Sequence, residues 1–275
     1  MVFHLVSIFA LLCLGVVGSC HASMPTELYW KAVFPNTPMP KSLQDLLRPV
    51  NKDNFVKLKD DIDIDAEINY HIYKNREANE FARIHKDEAT FLPRAVANSM
   101  PFSSNKFSDI LKPFSMDPKS AGSKVMKQNI ENCERESIKG EDKYCATSLE
   151  SLIDLTVSRL GKKIHVLSTE VEKETKVEKF TIGKGVKKMG EKEIVCHKLK
   201  YPYAVFLCHS IDKTDVYKVP LIGSDGTKIM AIAVCHKNTS TWNPRHLAFQ
   251  VLKVKPGSVP ICHFLAKETI VWVPN

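Results

Sequence analysis

The dipeptide Cys-His occurs four times towards the end of this chain, at Cys196-His197, Cys208-His209, Cys235-His236 and Cys262-His263. Ten residues separate the first pair from the second, and 25 separate each later pair from the one before it. Neighbouring residues of a β-strand point to opposite faces, so each dipeptide sends a thiol one way and an imidazole the other. A sheet that holds all four can join cysteines on one face while histidines gather on another. Cys196 and Cys208 are equidistant from Pro202 in KLKYPYAVF, and a hairpin turning there sets them opposite each other within disulfide reach. His197 and His209 then form a diagonal pair on the other face, with backbones roughly 7–8 Å apart.

The two later intervals read as repeats of one unit, a loop, a strand, a Gly-containing turn and a second strand, which can deliver His236 and His263 to the same region. Four imidazoles without a carboxylate suit Cu(II) or Zn(II), and tetragonal nitrogen ligation favours copper. The spacing fits no zinc finger, because Cys-x2-Cys is absent and oxidised cysteines cannot be ligands. In the competing reading the histidines cap strand ends by bonding to the backbone, and the cysteines alone give the pattern its meaning.

Those cysteines are expected in an oxidising compartment. Residues 1–22 carry an apolar core from Leu5 to Val17 and small residues near Ala22, the pattern of a secretory signal cleaved there. Cleavage removes Cys13 and Cys20 and leaves Cys133, Cys145, Cys196, Cys208, Cys235 and Cys262, an even set suited to three disulfides. The polar stretch ERESIKGEDKY, with Gly140 near its middle, favours Cys133–Cys145; the hairpin favours Cys196–Cys208; Cys235–Cys262 remains. Other pairings of six cysteines stay open on sequence alone. No later stretch is apolar enough for a membrane span.

The formal net charge is +8, and residues 162–200 supply most of it, with eleven Lys against six Glu. Such a face attracts polyanions, and for a secreted chain an acidic cell-wall polysaccharide is the fitting partner. No nucleic-acid-binding motif is visible. The alternative is a solvated lysine-rich hairpin.

Residues 23–67, proline-rich and then acidic from Asp60 to Glu67, show no sustained period and are expected to be an extended leader. A helix is expected over about 148–160 in CATSLESLIDLTVSRLG, with Thr147 and Glu150 as a capping box, Leu149, Leu152, Ile153, Thr156 and Leu160 on one face, and Gly161 as its stop. Downstream the period changes to two, predicting strands in IHVLS, VEKFTI, EIVCHKL, YAVFLCH, DVYKVPLI, KIMAIAVCH, HLAFQVLKV, VPICHF and TIVWV. The expected fold class is α+β, mainly antiparallel sheet. Asn238-Thr239-Ser240 is a glycosylation sequon expected to be exposed, in the polar loop NTSTWNPR.

The four Cys-His pairs, with TFLPRAVANSMPFSS, CERESIKGEDKYCATSLESLIDL, YPYAVFLCH, NTSTWNPRHLAFQVLKVKPGSVPICHF and the ending VWVPN, closely resemble the plant BURP-domain proteins over residues 68–275. The leader ELYWKAVFPNTPMPKSL is similar to the segment before the domain in the unknown-seed-protein type. The resemblance implies a secretory protein of seed, stress or cell-wall context, extracellular or vacuolar. Some members of the family are copper-dependent autocatalytic cyclases that cross-link a Tyr or Trp of a core peptide in their own chain, and these would map copper ligands onto His197, His209, His236 and His263. Here no repeated core peptide occurs between residues 23 and 90, and Tyr29, Trp30, Tyr70 and Tyr73 are the aromatic candidates. Without a core peptide the balance favours a binding protein over an enzyme. Tyr29, Trp30, Tyr70 and Tyr73 then serve as anchors that dock the leader on the domain.

Overall fold

A computed structural model describes residues 25–47, 89–171 and 179–275. The expected signal peptide, the acidic run Asp60–Glu67, Tyr70 and Tyr73 lie outside the described residues.

Eleven strands among the described residues build two antiparallel sheets: β1 (Glu141–Ala146), β2 (Ile164–Leu167), β3 (Glu170–Val171), β4 (Phe180–Ile182), β5 (Lys187–Gly190), β6 (Ile194–Lys198), β7 (Phe206–Ile211), β8 (Thr214–Gly223), β9 (Lys228–His236), β10 (Ile261–Phe264) and β11 (Ile270–Pro274). The first sheet runs β1-β7-β6-β11-β2. The second runs β10-β9-β8-β4, with β3 also on β9 and β5 also on β8. This is the α+β, mainly antiparallel, disulfide-linked architecture expected.

Alternation along β6 and β11 explains how the layers meet. Ile194, Cys196, Ile270 and Trp272 face a core shared with helices, whereas Val195, Val271 and Val273 face the other way and pack with Val216, Ile232 and Val234 of the second sheet. Each such buried aliphatic or aromatic side chain is worth about 1.5–3 kcal/mol. The two sheets are thereby stacked, and the helices cover the outer face of the first.

Helices among the described residues form that cover. Helix α1 (Thr26–Val33) departs from the extended leader expected. Period analysis missed it because so short a helix is stabilised by docking, not by its own pattern. Trp30 and Phe34, one turn apart, are buried and meet the ring of Trp272 at 5.7 and 6.0 Å. Thr26 donates to Glu150, Tyr29 donates to Asp154, and Arg94 pairs with the same carboxylate at 2.7 Å. Tyr29 and Trp30 are anchors.

Helix α2 (Ala121–Glu134) carries Cys133 at its end, and α3 (Leu149–Leu160) is the helix expected. Leu149, Leu152, Ile153 and Thr156 are buried, and Leu160 packs partly exposed against the same core. The capping box lies one residue later than expected: Ser148 accepts from Ser151 N, while Ser151 Oγ accepts from Ser148 N, each at 3.1 Å. Thr147 and Glu150 do not cap, since Glu150 turns to α1. Gly161, at φ 79°, ends the helix as expected.

One expected strand is wrong. HLAFQVLKV contains helix α4 (Leu247–Leu252), begun by His246 Nδ1 accepting from Ala248 N at 3.2 Å and ended by Lys253 in the left-handed region. Phe249 is its buried anchor, while Val251 and Leu252 are 68% and 53% exposed. A half-buried strand would have hidden Val251 with Phe249, so the alternation was coincidental.

Candidate functional site

The hairpin centred on Pro202 has the expected register, with Cys196 opposite Cys208 and His197 diagonal to His209. Its connection is clamped rather than loose: Tyr201, Tyr203 and Val205 are buried against Ile110, Leu111, Met126 and Ile130, and Asn129 donates to the carbonyl of Lys200 at 2.9 Å. Strands β9 and β10 repeat the arrangement, with Cys235 opposite Cys262 and His263 one step along at Val234. Cys133–Cys145 joins α2 to β1, so the three bonds are Cys133–Cys145, Cys196–Cys208 and Cys235–Cys262.

On β6 and β7 the cysteines turn to the helix-covered core, and His197 and His209 therefore turn towards the second sheet. On β9, His236 shares the face of Ile232 and Val234, which turns towards the first sheet. The histidines of both strand pairs thus meet at one end of the space between the sheets. His197 and His209 bring their Nε2 atoms to 3.2 Å, and the rings of His236 and His263 lie 5.5 Å apart. Electrostatic influence runs between the pairs, from His263 to His197 and from His209 to His236.

Every one of the four rings has an oxygen at its Nδ1: Thr269 Oγ1 at 3.4 Å for His197, Glu141 Oε1 at 3.2 Å for His209, Thr214 Oγ1 at 2.9 Å for His236 and the Phe264 carbonyl at 3.2 Å for His263. Partners on Nδ1 set ring orientation and tautomer, and they leave Nε2 for a ligand. Burial, with lesser help from neighbouring histidines, lowers His197 to about 3 and His236 to about 3. Desolvation by the neighbouring side chains also lowers His263, although the residue as a whole is exposed at the rim of the cluster. Neutral imidazoles of this kind are the protonation state that a metal requires. The 3.2 Å between two Nε2 atoms matches the roughly 2.8–3.3 Å between neighbouring ligands of one ion with bonds near 2 Å. Among the described residues no three His, Cys, Asp or Glu side chains stand already gathered as a metal group. The cluster is two histidine pairs facing each other.

Sequence reasoning missed the partners. Thr214 is opposite His236 on β8 and within reach of the strand logic, whereas Glu141 and Thr269 arrive from β1 and the approach to β11 with no sequence signal. It also missed Trp242, whose ring lies 5.0 Å from His236 and 5.0 Å from His246. Asn238 is exposed, its Oδ1 accepting from Ser240 N and Oγ at 3.2 and 2.7 Å. Lys179, Lys184, Lys187 and Lys188 are exposed around β4 and β5, although Lys188 is engaged by Asp215 at 3.2 Å.

The model of the BURP domain matches residues 69–274, the stretch that contains both sheets and all four Cys-His pairs. The chain belongs to the BURP-domain family. The BURP domain protein RD22 of Arabidopsis thaliana is 54% identical over 67% of this chain and 48% of its own length, so this match spans about half of that relative. BURP domain-containing protein 5 of Oryza sativa is 37% identical over 93% of this chain and 89% of its own. The unknown seed protein USP of Vicia faba is 31% identical over 100% of this chain and 97% of its own. That last likeness takes in helix α1, which precedes the BURP match and yet supplies Trp30 and Phe34 to the domain core. No described helix of this BURP-domain protein is long and apolar enough to cross a membrane.

Proposed function

We propose that this BURP-domain protein binds copper through Nε2 of His197, His209, His236 and His263, and that it acts in the secretory pathway by binding rather than catalysis. The observation that carries the copper reading is the oxygen partner at all four Nδ1 atoms, which turns the four Nε2 atoms to one end of the intersheet space. A nitrogen-only set of this kind suits Cu(II), and the bound ion would supply a Lewis-acid and one-electron centre. The protein's own contribution is to orient the rings and, at His197, His236 and His263, to disfavour protonation by desolvation. The exposed lysines around β4 and β5 support attachment to an acidic polysaccharide of the wall or seed matrix. Asn238, exposed in its sequon, is the position for a glycan.

The cyclase reading is less well supported. Tyr29 and Trp30 sit on the helix-covered face of the first sheet, opposite the face to which His197 and His209 turn, so neither reaches the cluster unless α1 undocks. The test is metal analysis and Cu(II) titration of the purified protein, with intact masses of its N-terminal peptides. One copper per chain and unchanged masses fit the proposal. A loss of two hydrogens from a Tyr- or Trp-containing peptide on adding Cu(II) would replace binding with catalysis. Retention on a pectate column at low salt, lost at high salt, is expected for the polysaccharide contact, and its absence removes that part.

A further inference from the structure

The three disulfides differ in what a reductant can reach. Cys196 and Cys208 are both 0% exposed, Cys133 and Cys145 are half-buried, and Cys235 is half-buried while its partner Cys262 is exposed. Exchange begins when a thiolate attacks one disulfide sulfur, so access selects the bond that reacts. The consequence of breaking each bond differs as well. Strand β6 lies between β7 and β11, and β7 lies between β1 and β6, so the ladders on both sides keep His197 and His209 in place without any disulfide. Strand β10 has four residues and pairs with β9 alone among the described residues. Only Ile261 of β10 is buried; Cys262, His263 and Phe264 are exposed.

We propose that Cys235–Cys262 is a thiol-exchange site for dithiol reductants, and that its redox state decides whether His263 stays seated beside His236. The attacking thiolate forms a mixed disulfide with Cys262 and expels Cys235 as thiolate. The second thiol of the reductant then displaces Cys262, closing the reductant's own disulfide. Two electrons and two protons pass from the dithiol to the cysteine pair, and oxidation reverses the step. Strand β10, released from its bond to β9, carries His263 away from the cluster while the buried bond and the first sheet persist. The exchange chemistry stands on exposure and strand position; only its effect on metal rests on the copper reading.

The test treats the full oxidised protein with dithiothreitol without denaturant, quenches with N-ethylmaleimide and maps the labelled peptides. Cys235 and Cys262 should be labelled about tenfold faster or more than Cys196 and Cys208, with the far-ultraviolet circular dichroism retained. Acylation of His263 by diethyl pyrocarbonate should rise several-fold after this selective reduction, and the C235S/C262S double variant should show the same rise without reductant. Equal labelling of the two pairs, or an unchanged His263 in the reduced protein and in the variant, overturns the proposal. Cu(II) affinity of the alkylated protein, its thiols blocked, should fall about tenfold. Failure of the oxidised protein to take up Cu(II) would instead refute the copper reading, and labelling and acylation would still decide the exchange site.

Discussion

The strand pairs β6–β7 and β9–β10 use one local design in two settings. In each, the cysteines stand directly opposite with Cα atoms 4.0 Å apart, and the histidines sit diagonally on the other face. The first pair is central in a sheet covered by α1 and α3, and its sulfurs are in the core. The second lies at a sheet edge, and its sulfurs are near solvent. Alternation in a strand fixes which way a side chain points, while the layers outside the strand fix what it meets. The same dipeptide therefore gives a core staple in one place and a surface latch in the other.

The sharpest contrast comes from removing each bond. Closed-loop entropy alone favours Cys235–Cys262, whose separation of 27 residues exceeds the 12 of Cys196–Cys208, by somewhat under about 1 kcal/mol. Burial should reverse that order. C196S/C208S leaves two hydroxyls in an apolar core at about 1–3 kcal/mol each beyond the lost cross-link, for a total of about 5 kcal/mol or more, whereas C235S/C262S should cost about 2–4 kcal/mol. Urea unfolding of both variants measures the difference, and equal losses would break the comparison.

Trp30→Ala should destabilise by about 3–5 kcal/mol, because α1 covers the sheet that holds the buried pair. Native-state hydrogen exchange should locate the loosening in β6 and β11 ahead of β10. An effect below about 1 kcal/mol would mean that the leader is not part of the core.

Acid should weaken the histidine end. His197 and His236 are held near 3, below the 6.5 of a free ring, so as pH falls from 6.5 towards 3 the unfolded chain takes protons that the folded chain refuses. Stability present above 6.5 is lost progressively through that window. Glu193, raised by burial to about 8, acts with the opposite slope between 4.5 and 8. Urea midpoints against pH for wild type and H236Q should show the variant's acid slope reduced; an identical slope would contradict the assignment. The smallest effect is expected of Thr214→Val, which should lower Cu(II) affinity about 10–100-fold with little change in the fold, and Thr214→Ser should restore it.

The sequence showed the opposed faces of Cys-His strands, the Pro202 hairpin and helix α3 because each is local and written in period two or 3.6. It did not show α1, whose Trp30 and Phe34 acquire meaning only against Trp272, 238 residues beyond Phe34. Strand logic paired His197 with His209, yet Glu141 and Thr269 come from other strands and loops that no spacing links to them. HLAFQVLKV misled because alternation in a short segment carries no information about which faces will be buried.

The central claim is that both strand pairs give their histidines to one copper ion. Electron paramagnetic resonance of the full oxidised protein with one equivalent of Cu(II) tests it most directly. A single tetragonal species with hyperfine structure from imidazole nitrogens is predicted, changed both by H209A in the first pair and by H263A in the second. A spectrum of oxygen-bound copper, or one that either variant leaves untouched, would contradict it.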